Sequence, residues 1–210
     1  LDFDGHVTEG TAWNSSYNIT TINSPPYDTN GNPSVFADNE LSAIQRMWRM
    51  VAEDFAPFDV NVTTQDPGIA AITRSGSGDS VYGTRVVITD DFVPNGCGCG
   101  GFAYVGIFNR TDDFYKPAFV FNTGRKGGGE AITHEAGHNL GLSHDGTSSV
   151  GYYTGHGSGE TGWAPIMGVG YYQSLVQWSR GEYADANQTQ DDYTRMQQYG
   201  LPVRSDDHGD

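Results

Sequence analysis

The 210-residue chain has the composition of one globular domain, with 36% hydrophobic and 12% aromatic residues. Its 26 acidic and 11 basic residues give a net charge of −15. A field of that sign repels phosphate backbones, which excludes a nucleic-acid partner. No apolar run reaches about 18 residues, so the sequence predicts no membrane span and no membrane partner.

Hydrophobic periodicity predicts the secondary structure in chain order. Residues 1–8 resemble a strand, and residues 9–33 a long polar loop. A helix is predicted from Asp38 to Phe55, because apolar side chains recur there at helical spacing between an Asp N-cap and Pro57. The remaining predictions are strands at 58–63, 84–89, 102–108 and 118–122, a helix at 130–142, a glycine-rich loop over the next 22 residues and a broken helix at 174–199. This order indicates an α/β or α+β sheet lobe.

Two cysteines, Cys97 and Cys99, flank Gly98 in a glycine-rich segment. A C-x-C pair is too sparse for a zinc ribbon or a zinc finger. Two interpretations stay open at this point. The pair forms a disulfide in an oxidising compartment, or both residues are free thiols in a loop.

The segment from His134 to His144 carries the clearest chemical signal in the chain. His134 and His138 are four residues apart, so both imidazoles project from one helical face and can bind one Zn²⁺ ion at ~2.0–2.1 Å. Gly141 can adopt a left-handed conformation, end the helix and turn the chain, which brings His144 back as a third ligand. Three neutral ligands leave a fourth position for water, as in catalytic zinc sites.

Glu135 follows the first ligand and is the predicted general base. It lies about 100° around the helix from His134, where it can reach a metal-bound water without ligating the metal. Zinc lowers the pKa of its water toward ~7, and Glu135 can accept the proton and pass it to the leaving amine. The alternatives are histidines that only pack on a helix, and a zinc site that has lost catalysis.

The spacing H-E-x-x-H-x-x-G-x-x-H over 134–144 resembles the metzincin clan of zinc metallopeptidases at every fixed position. The clan also carries a downstream methionine turn, and residues 164–168 fit it. The resemblance implies that Met167 forms an apolar floor beneath the zinc and is not a ligand. The likeness is closest to reprolysin-like secreted bacterial proteases.

This resemblance implies a metzincin-like α/β (α+β) fold over 1–210 as a single catalytic domain. A twisted mixed sheet with two long helices would form an upper lobe, about 1–145. A small irregular lower lobe with a C-terminal helix would follow, about 146–210. Residues 101–106 resemble the edge strand that lines the cleft in reprolysin-like members, to which a peptide substrate can add as an extended strand. An internal strand is the alternative for this segment.

Two further features of the clan have only approximate counterparts in this sequence. Some metzincins place an oxyanion-stabilising tyrosine two residues after the turn methionine, but that position here is Val169. Tyr171 is therefore the candidate transition-state stabiliser, with packing in the core or at the rim as the alternative. Secreted relatives often bind calcium, so structural Ca²⁺ is a second candidate cofactor. The candidate acidic pairs, which solvated turns explain as well, are Asp2/Asp4, Asp90/Asp91, Asp112/Asp113 and Asp191/Asp192.

Together these features predict a secreted, monomeric zinc endopeptidase with one catalytic Zn²⁺. Zinc-bound water, activated by Glu135, would attack the scissile carbonyl of a protein or peptide substrate. The loop between His144 and Met167, with the residues just after it, is expected to form the wall of the specificity pocket. The start at Leu1 fits removal of a propeptide, and a boundary within a longer chain explains it equally.

Two other functions are compatible with the same residues. One is a catalytically silent, zinc-containing binding or adhesion module. The other is a hydrolase of a different substrate, such as a deacetylase or an amidase. The third histidine, the methionine turn and the substrate strand favour peptides over these alternatives.

Overall fold

The computed structural model describes residues 1–121 and 123–205. Its strands are β1 (His6–Glu9), β2 (Thr21–Ser24), β3 (Val86–Ile88), β4 (Gly101–Phe102), β5 (Ala118–Val120), β6 (Trp163–Pro165) and β7 (Leu175–Gln177). Its α-helices are α1 (Ala12–Tyr17), α2 (Asp38–Asp54), α3 (Arg125–Asn139) and α4 (Asp192–Gln198), with short 3₁₀ turns at Ile69–Ala71 and Gly159–Thr161. No helix in the described part of the chain is long and apolar enough to cross a membrane.

The central sheet has the strand order β3-β5-β4 and is mixed. Strands β3 and β5 run parallel, and β4 is antiparallel to β5. An isolated parallel bridge joins Asp2 to Val87 of β3. Two smaller sheets accompany it, an antiparallel pair β1-β2 and a parallel pair β6-β7. The predicted mixed α/β (α+β) architecture is therefore confirmed, while the division into upper and lower lobes stays a prediction.

Alternating residues of the central sheet belong to two different apolar clusters. Val86 and Ile88 pack in the larger cluster, together with buried residues of α2 and α3. Val87 and Phe119 belong to a smaller cluster with Trp13 of α1. Because side chains alternate across a strand, the sheet is covered on both faces. This explains why β3 and β5 are apolar at every position.

Helices α2 and α3 are the two long helices, and they pack against each other. Helix α2 ends one residue before its predicted boundary and buries Met47 and Val51 almost completely. Helix α3 begins at Arg125, five residues before its predicted start. Its early turns contain three glycines, and an ideal Cβ at Gly129 would lie 2.9 Å from Met50 Sδ. Close packing on α2 therefore stabilises a helical segment that its own composition disfavours.

The predicted loop at 9–33 is wrong in part, because α1 and β2 lie within it. Trp13 is buried, and its indole N–H donates to the Pro117 carbonyl at 2.8 Å. Strand β2 pairs with β1, with Thr21 opposite Glu9. At the start of the chain, the predicted strand over residues 1–8 is reduced to β1 and the Asp2 bridge.

Two predicted strands are mostly absent from the described structure. In the segment 58–63 only Phe58 makes a β-bridge, to Val203. Of the segment 102–108, only the first residue belongs to β4. The amides of residues 106, 107 and 108 instead donate to the carbonyls of His138 and Asn139 at the end of α3. These carbonyls lack helical partners and offer acceptors that compete with a sheet ladder.

The remaining predicted elements are shorter than the apolar patterns suggested. The strand predicted at 84–89 is β3, and that at 118–122 is β5, with Asn122 outside the described residues. The glycine-rich segment after α3 contains β6 near its end. The predicted broken helix at 174–199 begins as strand β7 and becomes helical only in α4. Parallel pairing with β6 explains this change, since Leu175 lies opposite Trp163.

The structure joins Cys97 and Cys99 in a disulfide bond. Of the two interpretations that the sequence allowed, the disulfide is the observed one. The Cys97 amide donates to the Asp91 carboxylate at 2.6 Å, which ties this loop to the segment that follows β3.

Candidate active site

Helix α3 carries His134 and His138 on one face, and its C-terminal cap directs the chain toward the third histidine. The cap is a Schellman motif, in which Gly141 has φ +90° and its amide donates to the His138 carbonyl at 2.9 Å. The Leu142 amide closes the second bond of the motif, to the Gly137 carbonyl at 3.0 Å. The turn predicted at Gly141 is thus present.

The three predicted ligands converge on one point. Their ligating atoms all lie within 4.8 Å of one another. The Nε2 atoms of His138 and His144 are 2.9 Å apart, close to the ~3.3 Å edge of a tetrahedron of zinc-bound nitrogens. The Nδ1–H groups of His134 and His138 donate to the carbonyls of Ile166 and Leu142 at 2.9 and 2.8 Å. These bonds fix the tautomer that leaves Nε2 free to ligate a metal.

The surroundings favour the neutral form of all three imidazoles. Burial lowers the pKa of His134 to about 3, and the neighbouring His138 contributes to the shift. Burial likewise lowers the pKa of His138 to about 4 and shifts that of His144 in the same direction. Neutral imidazoles near pH 7 need release no proton to bind a metal, and three of them fit a Zn²⁺ ion with an open fourth position.

Glu135 is buried beside this triad, with 6% of its surface exposed. Its Oε2 atom has no hydrogen-bond partner among the described residues. Burial raises the pKa of the carboxyl to about 8. A dication held by the adjacent histidines would favour the ionised form. A buried carboxylate without a protein partner, next to a metal site, is suited to hold and transfer a proton.

Strand β4 passes directly over Glu135. An ideal Cβ at Gly101 would lie 2.9 Å from Glu135 Cγ and 2.5 Å from the Phe119 carbonyl oxygen. Only glycine allows so close an approach of a strand to this side chain. The strand also ends the order β3-β5-β4, so its second edge pairs with no strand in the described chain. Strand β4 is therefore an end strand of the described sheet and not an internal one.

Met167 lies in a tight turn below the helix and is fully buried. The Gly168 amide donates to the Pro165 carbonyl at 3.1 Å, which closes the turn. An ideal Cβ at Gly137 would lie 2.7 Å from the Met167 sulfur, so the thioether packs against α3 between the two helical histidines. The Met167 carbonyl accepts from the amide of Asp145 at 2.8 Å, next to the third histidine.

Asp145 itself anchors the loop and is not part of the triad. Its side chain is 99% buried, and Oδ1 accepts from the Gln188 amide at 2.7 Å. Its carbonyl accepts from the Tyr153 amide at 2.7 Å.

Sequence reasoning missed Tyr152. Its ring centroid lies 4.3 Å from that of His144 and 6.2 Å from that of His134, and the residue is 45% exposed. Burial raises the pKa of its hydroxyl, with the charge of Glu135 and then Tyr171 as further causes. Tyr171, the predicted stabiliser, is half-buried. The only sequence signal for Tyr152 is its position eight residues after the third ligand.

One member of each acidic pair considered for calcium is engaged in another interaction. Asp2 pairs with Arg85, Asp112 pairs with Arg110 at 2.7 Å, and Asp191 caps α4. Within the described residues, the histidine triad is the only group of three or more ligating side chains close enough to hold a metal. The calcium site stays a prediction.

Comparison with known proteins agrees with this geometry. A family model described as Metallo-peptidase family M12B Reprolysin-like matches residues 16–145. The match covers more than half of the chain, so the protein belongs to this family, and the predicted metzincin resemblance is confirmed. None of the curated proteins compared with the chain matches it. Family membership and the histidine triad together define a zinc metallopeptidase of metzincin type.

Proposed function

We propose that the protein is a zinc-dependent endopeptidase that hydrolyses protein or peptide substrates. One observation carries the proposal: buried Glu135, with an unpartnered Oε2, lies beside a convergent triad of neutral imidazoles. His134, His138 and His144 would hold the ion. When bound, Zn²⁺ supplies Lewis acidity that polarises a carbonyl and lowers the pKa of water.

Glu135 provides the proton transfers of the reaction. Its carboxylate accepts a proton from the water that attacks the scissile carbonyl, and then delivers it to the leaving amine nitrogen. Burial of this carboxylate limits competition from bulk water. The glycine at position 101 leaves space for the carboxylate, and Met167 supports the helix that carries it.

The free edge of β4 is the proposed binding site for the substrate backbone. An extended peptide added there would form main-chain hydrogen bonds with little dependence on its side chains. The contact of Gly101 with Glu135 brings that edge next to the proposed base. The same peptide would therefore reach the triad with one carbonyl while the rest of it is held as a strand.

A secreted, monomeric enzyme is part of the proposal. The Cys97–Cys99 disulfide is typical of oxidising compartments and supports secretion. The net charge of −15 supports solubility and argues against anionic partners.

The test is zinc content together with casein cleavage, with and without a chelator, for the natural chain and Glu135→Ala. We expect one zinc per chain, chelator-sensitive cleavage, and a loss of about three orders of magnitude or more in Glu135→Ala with zinc retained. Glu160→Ala, at an exposed position, serves as the control. Near-normal turnover in Glu135→Ala would contradict the mechanism.

Other outcomes identify the competing functions. One zinc without cleavage of any peptide would favour the binding or adhesion module. Release of acetate or ammonia from small amides, without cleavage of casein, would favour the deacetylase or amidase.

A further inference from the structure

A cavity of about 470 Å³ lies between α2, α3 and β7. Its lining includes Ile166 of the methionine turn, Val176 downstream of that turn, and Thr133 of α3. The wall is therefore formed partly by the residues just after the turn, where the specificity pocket was expected.

The cavity lies immediately beside the metal site. Glu130, His134 and His138 are spaced four residues apart on α3, so they lie along one helical face. A separation of four residues corresponds to about 6 Å along the helix axis. The carbonyl of Ile166, a lining residue, also accepts the hydrogen bond from His134 Nδ1 at 2.9 Å. Ile166 and helix α3 are therefore shared by the cavity and the metal site.

Glu130 presents a buried carboxylate to the cavity. Its side chain is 9% exposed. Oε1 lies 3.6 Å from the Lys126 ammonium, which is beyond hydrogen-bond distance. Lys126 is 43% exposed and donates instead to the Gln173 carbonyl. Lys126 is therefore a solvent-exposed partner that makes no short ion pair with Glu130.

A second carboxyl group lies in the same cavity. Asp54 Oδ2 accepts from the Thr133 hydroxyl at 2.7 Å, and Thr133 is completely buried. The basic lining residues, Arg46 and Lys126, are exposed. The cavity is therefore acidic in its interior and basic only at its rim.

Both carboxyls experience an environment that disfavours their charge. Burial raises the pKa of Glu130 to about 7, opposed by Lys126 and reinforced by Asp54. Burial also raises the pKa of Asp54 to about 6. An apolar side chain in the cavity would not offset the free-energy cost of keeping these two carboxylates ionised while buried. A cationic side chain would offset it.

We propose that this cavity receives the lysine or arginine side chain of a peptide substrate, adjacent to the scissile bond, and that Glu130 binds its charge. Asp54 is the second carboxyl, and the apolar walls at Ile166, Val176 and Trp178 pack on the alkyl part of the side chain. The inference rests on the proposed endopeptidase function and gives it a substrate class.

The first experiment maps the cleavage sites in casein by mass spectrometry for the zinc-loaded enzyme. Lysine or arginine should be enriched at one position next to the cleaved bond. The second experiment compares peptides that carry lysine, or its neutral isostere norleucine, at that position. We expect kcat/KM to be about tenfold to a hundredfold higher for the lysine peptide.

Glu130→Gln isolates the charge while retaining the shape of the side chain. It should lower kcat/KM for the lysine peptide by a similar factor and change that for the norleucine peptide by less than about threefold. Asp54→Asn should act in the same direction, and it provides a second variant if Glu130→Gln is poorly folded by thermal melting. Glu160→Gln is the matched control at an exposed position and should leave the lysine preference unchanged.

Peptide binding to Glu135→Ala separates this inference from the proposed function. Tighter binding of the lysine peptide, lost on adding Glu130→Gln, would support the cavity assignment even if the natural chain cleaved nothing. Cleavage or binding without preference for a basic residue, or a preference that Glu130→Gln leaves intact, would overturn it.

Discussion

At the residue scale, the metal-binding capacity of the site depends on how each imidazole is oriented. His134 and His138 each donate through Nδ1 to a backbone carbonyl, one in the methionine turn and the other in the C-terminal cap of α3. His144 is held differently, because the loop that carries it is fixed through its neighbour Asp145. The third ligand therefore depends on the loop, whereas the first two depend on the helix.

Removing His144 tests this dependence. His144→Ala leaves two nitrogen ligands, so zinc affinity should fall by more than about a hundredfold while the helix remains folded. Competition with a chromophoric chelator measures the affinity, and far-UV circular dichroism reports the helix. His156→Ala, an exposed histidine, is the control. Unchanged affinity in His144→Ala would show that another group supplies the third ligand.

The second residue-scale prediction concerns the tyrosines. Tyr152 lies against the ring of His144 and is 45% exposed, so we expect its hydroxyl to donate to an oxyanion that develops at the triad. Tyr152→Phe should lower kcat about tenfold or more, with KM and zinc content nearly unchanged. Tyr171→Phe is the matched comparison. A larger loss in kcat for Tyr171→Phe would support the assignment made from sequence.

At the element scale, the contact between β4 and α3 joins the proposed substrate-binding edge to the proposed catalytic side chain. The strand contains only Gly101 and Phe102, and Phe102 pairs opposite Phe119. Because Gly101 lies against both the sheet and Glu135, the element leaves no space for even a methyl group. A small displacement of this strand should therefore move the side chain of Glu135, the proposed base.

Gly101→Ala is the corresponding test. The added Cβ would lie 2.5 Å from the Phe119 carbonyl oxygen and 3.0 Å from Glu135 Oε1, so strand and carboxylate must both shift. We expect a stability loss of about 1–3 kcal/mol and a fall in kcat of tenfold or more, with one zinc retained. Gly78→Ala, which meets no atom within 4 Å, is the control. Unchanged kcat in Gly101→Ala would show that the position of β4 does not affect catalysis.

At the scale of the whole molecule, one of the many acidic side chains is fully buried. Asp192 is completely buried, and its Oδ2 accepts from the Ser179 amide at 2.9 Å. Its Oδ1 has no hydrogen-bond partner among the described residues. Burial raises the pKa of Asp192 to about 8, and the charges of Asp145, Asp191 and Glu182 add to the shift.

This shift predicts how stability depends on pH. From its ordinary pKa of 3.8 up to about 8, Asp192 is ionised in the unfolded chain and protonated in the folded one. The folded state then binds more protons, so its contribution to the free energy of unfolding falls as pH rises, by at most about 1.4 kcal/mol per unit.

Asp192→Asn should remove this contribution, so stability should fall less between about pH 6 and pH 8 than in the natural chain. Urea unfolding of the chelator-treated proteins at both values measures the difference, and Asp185→Asn, at an exposed position, is the control. The same decrease with pH in Asp192→Asn and in the natural chain would show that another group is responsible.

Much of the candidate site could be predicted because its geometry is local. His134, Glu135 and His138 lie within two turns of one helix, and Gly141 with the following residues makes a cap whose form depends on a few neighbouring residues. Helix α2 was equally predictable, since its apolar stripe and terminal signals are contained in one segment. Short strands were less predictable, because the apolar run at 102–108 pairs with a sheet only at its start and with helix carbonyls beyond it.

The sequence by itself therefore determined the class of the protein, the metal ligands expected of it and the proposed base, because periodicity and spacing specify what one helix and its cap present. Only the tertiary structure placed Tyr152 against His144, Gly101 over Glu135, and Asp54 with Glu130 in one cavity. The last two of these pairs are separated by many residues in the chain, and the first lies across an irregular loop. Their proximity follows from how the helices, strands and loops pack, which no local pattern encodes.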